Sequence, residues 1–334
     1  FGASSMSHFH YLPFEHKIKS LEAHMDQIGV APVMQAMLKD KRDQELQLLY
    51  SNLSGWETML VARHKKRPQT PDYIPLICSE FIELHGDRSF ADDRAIVTGM
   101  AMIGQHRVML IGQQKGRTTE ECMEYNWGHG HPEGYRKALQ KMKLAQKLQM
   151  PLVCLIDTKG AAPTDEAEAR GISQSIAENL KFMSGYTSPI VATVIGEGGS
   201  GGALGIGVAD ALLMQQFSYL SVITPEAASS IMWKDGKHAM DAANALFITA
   251  PQLQKLGVIT GIVPEPLGGA HRDHALAAKN LETAICTALD SLVRMPQELL
   301  LEQRYQRLRK IGVYQEDALG KAHNLYKEED GKTA

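Results

Sequence analysis

Five glycines fall within the seven residues Gly196-Glu197-Gly198-Gly199-Ser200-Gly201-Gly202, directly after the apolar run Pro189 to Ile195. A buried run that breaks into glycines and then into small residues, Ala203 to Leu213, predicts a strand, a glycine turn and a tightly packed helix. The first turn of such a helix carries N–H groups without intrahelical acceptors and the positive end of a dipole. Glycine suits the turn because a ligand can approach the main chain and because φ can be positive. The chemistry favoured is stabilisation of negative charge, standing on a phosphate or developing on an oxyanion.

Three catalytic readings compete for this loop. Gly196-x-Gly198-x-x-Gly201 has the form of a dinucleotide fingerprint, which requires an acid about 20 residues on. That region is Gln215-Gln216-Phe217-Ser218-Tyr219-Leu220 and holds none. Gly198-x-Ser200-x-Gly202 has the form of a nucleophile elbow, with Asp241 and His271 or His274 as possible triad partners, but no His-Gly-Gly-Gly oxyanion motif accompanies it. The third reading is a loop whose amides hold an oxyanion with no side-chain nucleophile. Close helix–strand packing alone would account for one or two glycines, less well for five.

Other strand ends carry polar residues. Ile156-Asp157-Thr158-Lys159-Gly160-Ala161-Ala162-Pro163 is a second buried run breaking into a Gly/Pro loop, where open α/β sheets gather ligands. Asp157 could equally cap that loop. Ser221-Val222-Ile223-Thr224-Pro225-Glu226 ends a strand at a helix start, with Thr224 as N-cap. Gly128-His129-Gly130-His131 pairs two histidines without a third ligand nearby and reads as a turn rather than a metal site. Lys141-Met142-Lys143 matches a biotin-attachment triplet but lies in a helical pattern, so this chain is not expected to be the biotin carrier.

The elements that must position these residues follow from periodicity. Residues 14 to about 63 read as a polar helical arm, which must lie on the main domain or on another subunit because it cannot bury its own apolar face. Arg63-His64-Lys65-Lys66-Arg67 reads as a solvated helix end, or alternatively as a holder of ligand phosphates. Thr70-Pro71 predicts a helix to about Leu84. Ala95–Ile103 and Arg107–Gly112 form a hairpin about Gly104-Gln105. Then come a helix over 132–149, a strand over 151–156, a helix over 171–185 and short strands near 212–215, 220–223 and 261–263. Helices from Pro225, over 273–294 and over 296–310 complete the pattern, whose recurring unit is strand, strand, helix.

With 334 residues, 44% hydrophobic and 22% charged, the composition is that of a soluble globular protein, and a net charge of −3 gives no general affinity for nucleic acid or acidic membranes. No apolar run reaches a membrane span and no signal peptide is evident, so a cytoplasmic location is expected. Cys78, Cys122, Cys154 and Cys286 show no C-x-x-C spacing and read as reduced thiols. Residues 1–5 ahead of Met6 read as a cloning scar. The expected division is an arm over 6–68, one domain over 69–315 and a polar tail over 316–334.

The motifs together resemble the family of bacterial acetyl-CoA carboxylase carboxyltransferase α subunits, over nearly all of residues 55–315. The resemblance rests on Leu84-His85-Gly86-Asp87-Arg88 with Asp92-Asp93, Ile111-Gly112-Gln113-Gln114-Lys115-Gly116, Asn126-Trp127-Gly128, Pro132 to Leu139, Ile156 to Ala161, the loop 195–205, Ser221 to Glu226, Trp233-Lys234-Asp235 and Glu265 to His271. It implies an α/β crotonase-like (ClpP/crotonase) ββα spiral with an N-terminal helical arm, active as an α2β2 assembly whose site lies between α and β. It also implies a biotin-dependent reaction, with carboxybiotin presented by a separate biotin carboxyl carrier protein and an acyl-CoA, acetyl-CoA, as acceptor. The β subunit would bring a zinc ribbon and most of the CoA pocket, leaving no metal in this chain. By the same resemblance the amides of Gly201, Gly202 and Ala203 are oxyanion donors for the biotin ureido oxygen. Gly198, Gly199, Ser200, Asp157, Thr158, Gly160, Ala161, Thr224, Pro225 and Glu226 are the expected binding residues. Gly160-Ala161-Ala162-Pro163-Thr164 and Glu168-Ala169-Arg170-Gly171-Ile172 depart from the family's Gly-Ala-Tyr-Pro-Gly and Glu-Glu-Arg-Gly-Gln, which implies a remade pocket beside an intact glycine loop. That leaves a paralogue with a changed acyl substrate or decarboxylase activity in a specialised pathway, or a non-catalytic scaffold subunit, as alternatives.

Overall fold

The structure, a computed structural model, describes residues 10–27 and 31–312, with the backbone of 315–316 and 322–323. The expected scar, and most of the expected tail, lie outside the described residues. Eight strands form one sheet: β1 (Cys78–Glu83), β2 (Ile96–Ile103), β3 (His106–Gln113), β4 (Leu152–Thr158), β5 (Ile190–Gly199), β6 (Ala211–Gln215), β7 (Tyr219–Ser221) and β8 (Gly261–Val263). Their order is β1-β2-β3-β4-β5-β6-β8, with β7 paired to the far end of β5. The first three strands are antiparallel and the rest parallel.

Alternation along the buried strands splits the core in two. Leu152, Cys154 and Ile156 with Ile190, Ala192 and Val194 face Tyr135, Met142 and Met183 of the helices Pro132–Lys147 and Ile172–Ser184. Val153, Leu155, Val191 and Ile195 face the opposite layer, where Tyr73 and Ile77 of Thr70–Ile77 meet Leu281, Ile285 and Leu289 of His274–Leu292. Both layers press on β4 and β5, so the polar ends of these two strands are held from both faces.

Two expected elements came out differently. The helix from Thr70 stops at Ile77, and Cys78–Glu83 is an edge strand on β2. Pro75 lies inside that helix and removes a donor from its ladder, and Cys78 is already extended, with φ −106° and ψ 128°. The helix expected over Ala203 to Leu213 is only Ser200–Leu204, and the chain returns as β6 from Ala211. Glycines at 205 and 207 weaken any continuation.

The arm consists of the helices His16–Met25, Pro32–Tyr50 and Gly55–Ala62. It lies on the main body through a cluster of Leu12, Ile18, Leu46, Tyr50, Val61 and Phe217. Arg272 donates to Glu15 and to Glu22, both at 2.8 Å, and fixes the first helix.

Candidate functional site

The glycine run is strand for longer than expected. Gly196 to Gly199 remain in β5, paired to β4 through Thr158 and to β7 through Tyr219, Leu220 and Ser221, and the helix starts at once at Ser200. None of the five glycines has a positive φ, whereas Ser200 does, at 50°. The glycines are required by close approach of the protein itself. A Cβ at Gly199 would lie 2.1 Å from the Lys159 carbonyl oxygen, one at Gly196 2.5 Å from Asp157, and one at Gly202 2.4 Å from the Gly160 carbonyl carbon. Gly201 differs: its Cβ would meet only Ile176, at 3.7 Å. The helix start is therefore clamped on one side and open on the other.

Two donors clamp it further. Gln113 at the end of β3 and Tyr135 both donate to the Gly202 carbonyl, at 2.9 and 3.1 Å. The Gln113 amide oxygen also accepts from Asp157 N at 3.1 Å, so one side chain ties β3, β4 and the helix together. Gly199 is the N-cap of this short helix, and the Gly205 N–H closes it on the Gly201 carbonyl at 2.9 Å. The amides of Gly201 and Gly202, earlier in the turn, have no acceptor inside the helix.

Beneath the helix start lies a buried ion network. Glu197 accepts from Arg63 at 2.7 Å, from Lys115 at 3.0 Å and from the Tyr219 hydroxyl at 2.8 Å. Lys115 also pairs with Asp157 at 2.7 Å, and Asp157 accepts from the Glu197 N–H at 2.9 Å. Arg63 reaches Glu226 at 2.5 Å, which joins the helix Pro225–Trp233 to the same network. Burial pushes the Glu197 carboxyl up, but Lys115 and Arg63 outweigh it and hold the pKa at about 2. Burial likewise pushes the Asp157 carboxyl up, and here it prevails although Lys115 opposes it. On Lys115 burial works against the charge, and Asp157 and Glu197 overcome it and raise the pKa.

Residues of the loop after β4 and of the helix from Pro225 come to this end of the sheet. Thr158 donates to the carbonyls of Gly128 and Gly160, at 2.6 and 2.7 Å, which shapes the loop after β4. Ala161 bridges to Gly130, and the loop of Gly160 and Ala161 lies against Gly202. Thr224 caps its helix by accepting from Ala227 N at 3.3 Å, with Pro225 in the first turn. The sequence reading missed Gln113, Lys115, Tyr135, Glu197 and Tyr219 as parts of the site, and it misjudged the basic run. Arg63 and Arg67 are not a solvated end: Arg67 is buried against Glu265 at 2.6 Å and the Ile195 carbonyl at 2.7 Å. An acid and a base, Glu197 and Lys115, each next to glycine at a buried strand end were the available signal, since such charges have to find partners.

The nucleophile-elbow residues do not assemble. Asp241 pairs with His238 at 3.0 Å, His271 is buried and stacked on His64 at 3.8 Å, and His274 bonds the Lys66 carbonyl at 2.7 Å. No described histidine is bonded to Ser200. A fluorophosphonate probe is expected to leave Ser200 unlabelled, and Ser200→Ala should keep about a tenth or more of the rate. Stoichiometric labelling would reverse that reading.

A cleft of about 230 Å³ opens beside the network, lined among others by Arg63, Lys65, Lys115, Trp127, Lys159 and Glu197. No helix among the described residues is long and apolar enough to cross a membrane.

Comparison with known proteins agrees with this geometry. Residues 11–312 match the family model described as acetyl co-enzyme A carboxylase carboxyltransferase-like. The acetyl-coenzyme A carboxylase carboxyl transferase subunit alpha of Rhodopirellula baltica is 48% identical over 304 residues, covering 91% of this chain and 95% of that protein. The same subunit of Methylococcus capsulatus is 49% identical over 317 residues, covering 92% and 98%. Among solved structures, transcarboxylase 12S shares the fold with a TM-score of 0.56 at 18% identity, covering 71% of this chain and 45% of that one. A Pseudomonas malonate decarboxylase hetero-tetramer chain does so with a TM-score of 0.57 at 14% identity, covering 72% and 96%. The fold is thus crotonase-like. On a match that spans nearly all the described residues, the chain belongs to the acetyl co-enzyme A carboxylase carboxyltransferase-like family.

Proposed function

We propose that the chain is the α subunit of a biotin-dependent acetyl-CoA carboxyltransferase, active in the cytoplasm as an α2β2 assembly with a β subunit. The observation that carries this reading is the helix start at Ser200, clamped on the protein side and open at Gly201, in a chain of this family. The open side is a cradle that any side chain at 201 would begin to fill, and it fits the ureido end of biotin. When presented by the biotin carboxyl carrier protein, carboxybiotin supplies the carboxyl group that an acyl-CoA accepts to give malonyl-CoA.

The chain's own part is to hold donors still. Gly201 and Gly202 offer amides to an oxygen that gains negative charge, with Ala203 completing the turn. Gln113 and Tyr135 prevent that turn from rotating, so little reorganisation is needed as the charge develops. Gly198, Gly199 and Ser200 lead into the turn, Gly160 and Ala161 lie against it, and Asp157, Thr158, Thr224, Pro225 and Glu226 complete the proposed binding residues. Residues 6–68 serve as the arm and 69–315 as the carboxyltransferase domain. Malonyl-thioester and biocytin exchange should appear only when the chain is co-purified with a cognate β subunit. Full activity of the isolated chain would overturn the split-site reading.

A further inference from the structure

The cleft holds more positive charge than its own carboxylates neutralise. Arg67 is matched by Glu265, Arg117 by Asp72, Arg63 by Glu197 and Glu226, and Lys115 by Asp157 and Glu197. Among the described residues, Lys65 and Lys159 are the lining cations with no carboxylate in ion-pair contact. Lys65 is exposed, whereas Lys159 is half-buried in the loop after β4, one residue beyond Thr158. Its charge helps to hold the Glu197 carboxyl down from a distance, but no carboxylate is in ion-pair contact to replace the hydration that it has lost.

A second feature of the same cleft is independent of charge. Asn126 and Trp127 are both left-handed, with φ 45° and 50°, and Gly128 follows at 81°. Two consecutive non-glycine residues in this region store strain, which the surrounding structure has to hold. The Asn126 side chain, donating to the His129 carbonyl at 2.8 Å, helps to hold it. The result is an indole lining the cleft yet 48% exposed. An unmatched cation and a propped aromatic wall in one small cleft suit a short apolar group that ends in an anion.

Resting on the function proposed above, we propose that Lys159, with Trp127 as its wall, binds the carboxylate of a short carboxylated acyl thioester. It is thus a specificity-determining residue that favours such a thioester over an uncharged one. A charge-assisted bond at a half-buried site predicts an effect of about tenfold on affinity. Lys159 has no bonded partner to lose, so Lys159→Met should fold and assemble normally.

The test is titration of the assembled complex with malonyl-CoA, acetyl-CoA and CoA, for wild type, Lys159→Met and Lys159→Arg. The expected result is about tenfold weaker malonyl-CoA binding by Lys159→Met, near-normal binding by Lys159→Arg, and unchanged binding of the two ligands that lack an acyl carboxylate. Equal weakening for all three would assign Lys159 to the CoA phosphates and overturn the proposal. Unchanged malonyl-CoA binding would overturn it as well, including the case in which only use of the carboxylated carrier suffers. Exchange between malonyl-CoA and biotin methyl ester, run on the same wild-type complex, tests the underlying function separately. If the wild type exchanges and Lys159→Met binds normally, only the role of Lys159 falls; if the wild type does not exchange, the function falls, and the titrations still decide Lys159.

Discussion

Lys115→Met is expected to cost about 3–5 kcal/mol of stability, the usual penalty for breaking a buried ion pair from one side. The side chains involved are 15%, 3% and 2% exposed for Lys115, Asp157 and Glu197, so solvent screens little of the interaction. Glu197 keeps Arg63 in the variant, and the uncompensated charge falls on Asp157. Burial already pushes the Asp157 carboxyl up, and losing Lys115 removes the largest influence that opposes it. A carboxyl whose folded pKa is raised is best tolerated while protonated, so the stability of the variant should fall as pH rises through that pKa. Wild type has a limb of the same sign from Asp157, whose carboxyl burial already raises, and without Lys115 that limb should be larger and lie at higher pH. In wild type the depressed Glu197 contributes above the ordinary carboxylate range and loses that contribution only as pH falls through about 2, while the raised Lys115 loses its own only at alkaline pH. Urea midpoints measured between about pH 5.5 and about pH 8.5 would show it. A variant midpoint that is flat with pH, or close to wild type, would mean that the network does not hold the strand ends.

The second large effect concerns the helix start. Gly201→Val should lower turnover of the assembled complex by about 10²-fold, since a branched side chain at the open face keeps an oxygen from the amides. Its Cβ meets only Ile176 at 3.7 Å, so assembly with the β subunit should survive. Gly202→Val is the poorer probe. Its Cβ would sit 2.4 Å from the Gly160 carbonyl carbon and 2.6 Å from Ala161 N, so backbone has to move and folding fails together with activity. Wild-type turnover by an assembled Gly201→Val complex would remove the oxyanion role and leave a scaffold subunit as the better description.

What could be read in advance depended on range. The runs at 151–156 and 189–195 are apolar except for Thr193, each begins at a proline and breaks into a glycine-containing loop, and both are central strands. The hairpin about Gly104-Gln105 was equally legible, because turn chemistry is local. Cys78–Glu83 escaped notice because an exposed edge strand lacks an apolar face to show its period, and its existence depends on β2. The small residues after Ala203 fit a helix or a compact turn equally well, and packing chose the turn. The glycine run announced a close approach, though not by what: Lys159, Asp157 and Gly160 fill the space that a ligand was expected to take. Charges at the strand ends signalled that partners were needed, but the pairings could not be read, since Lys115 and Glu197 are 82 residues apart and Arg63 and Glu226 are 163 apart.

The docking of the arm has a consequence for synthesis. Glu22 and Glu15 precede their partner Arg272 by 250 and 257 residues. Phe217, which covers Tyr50 and Leu46, is also translated long after them. A nascent chain therefore carries the arm with its apolar stripe uncovered and its acids unmatched until most of the sheet has emerged. Seating the arm closes folding rather than nucleating it, as expected of contacts so distant in sequence. A ribosome stalled short of Arg272 would hold a chain whose amino-terminal helices are open to chaperones and proteases, even though β4 and β5 are already made.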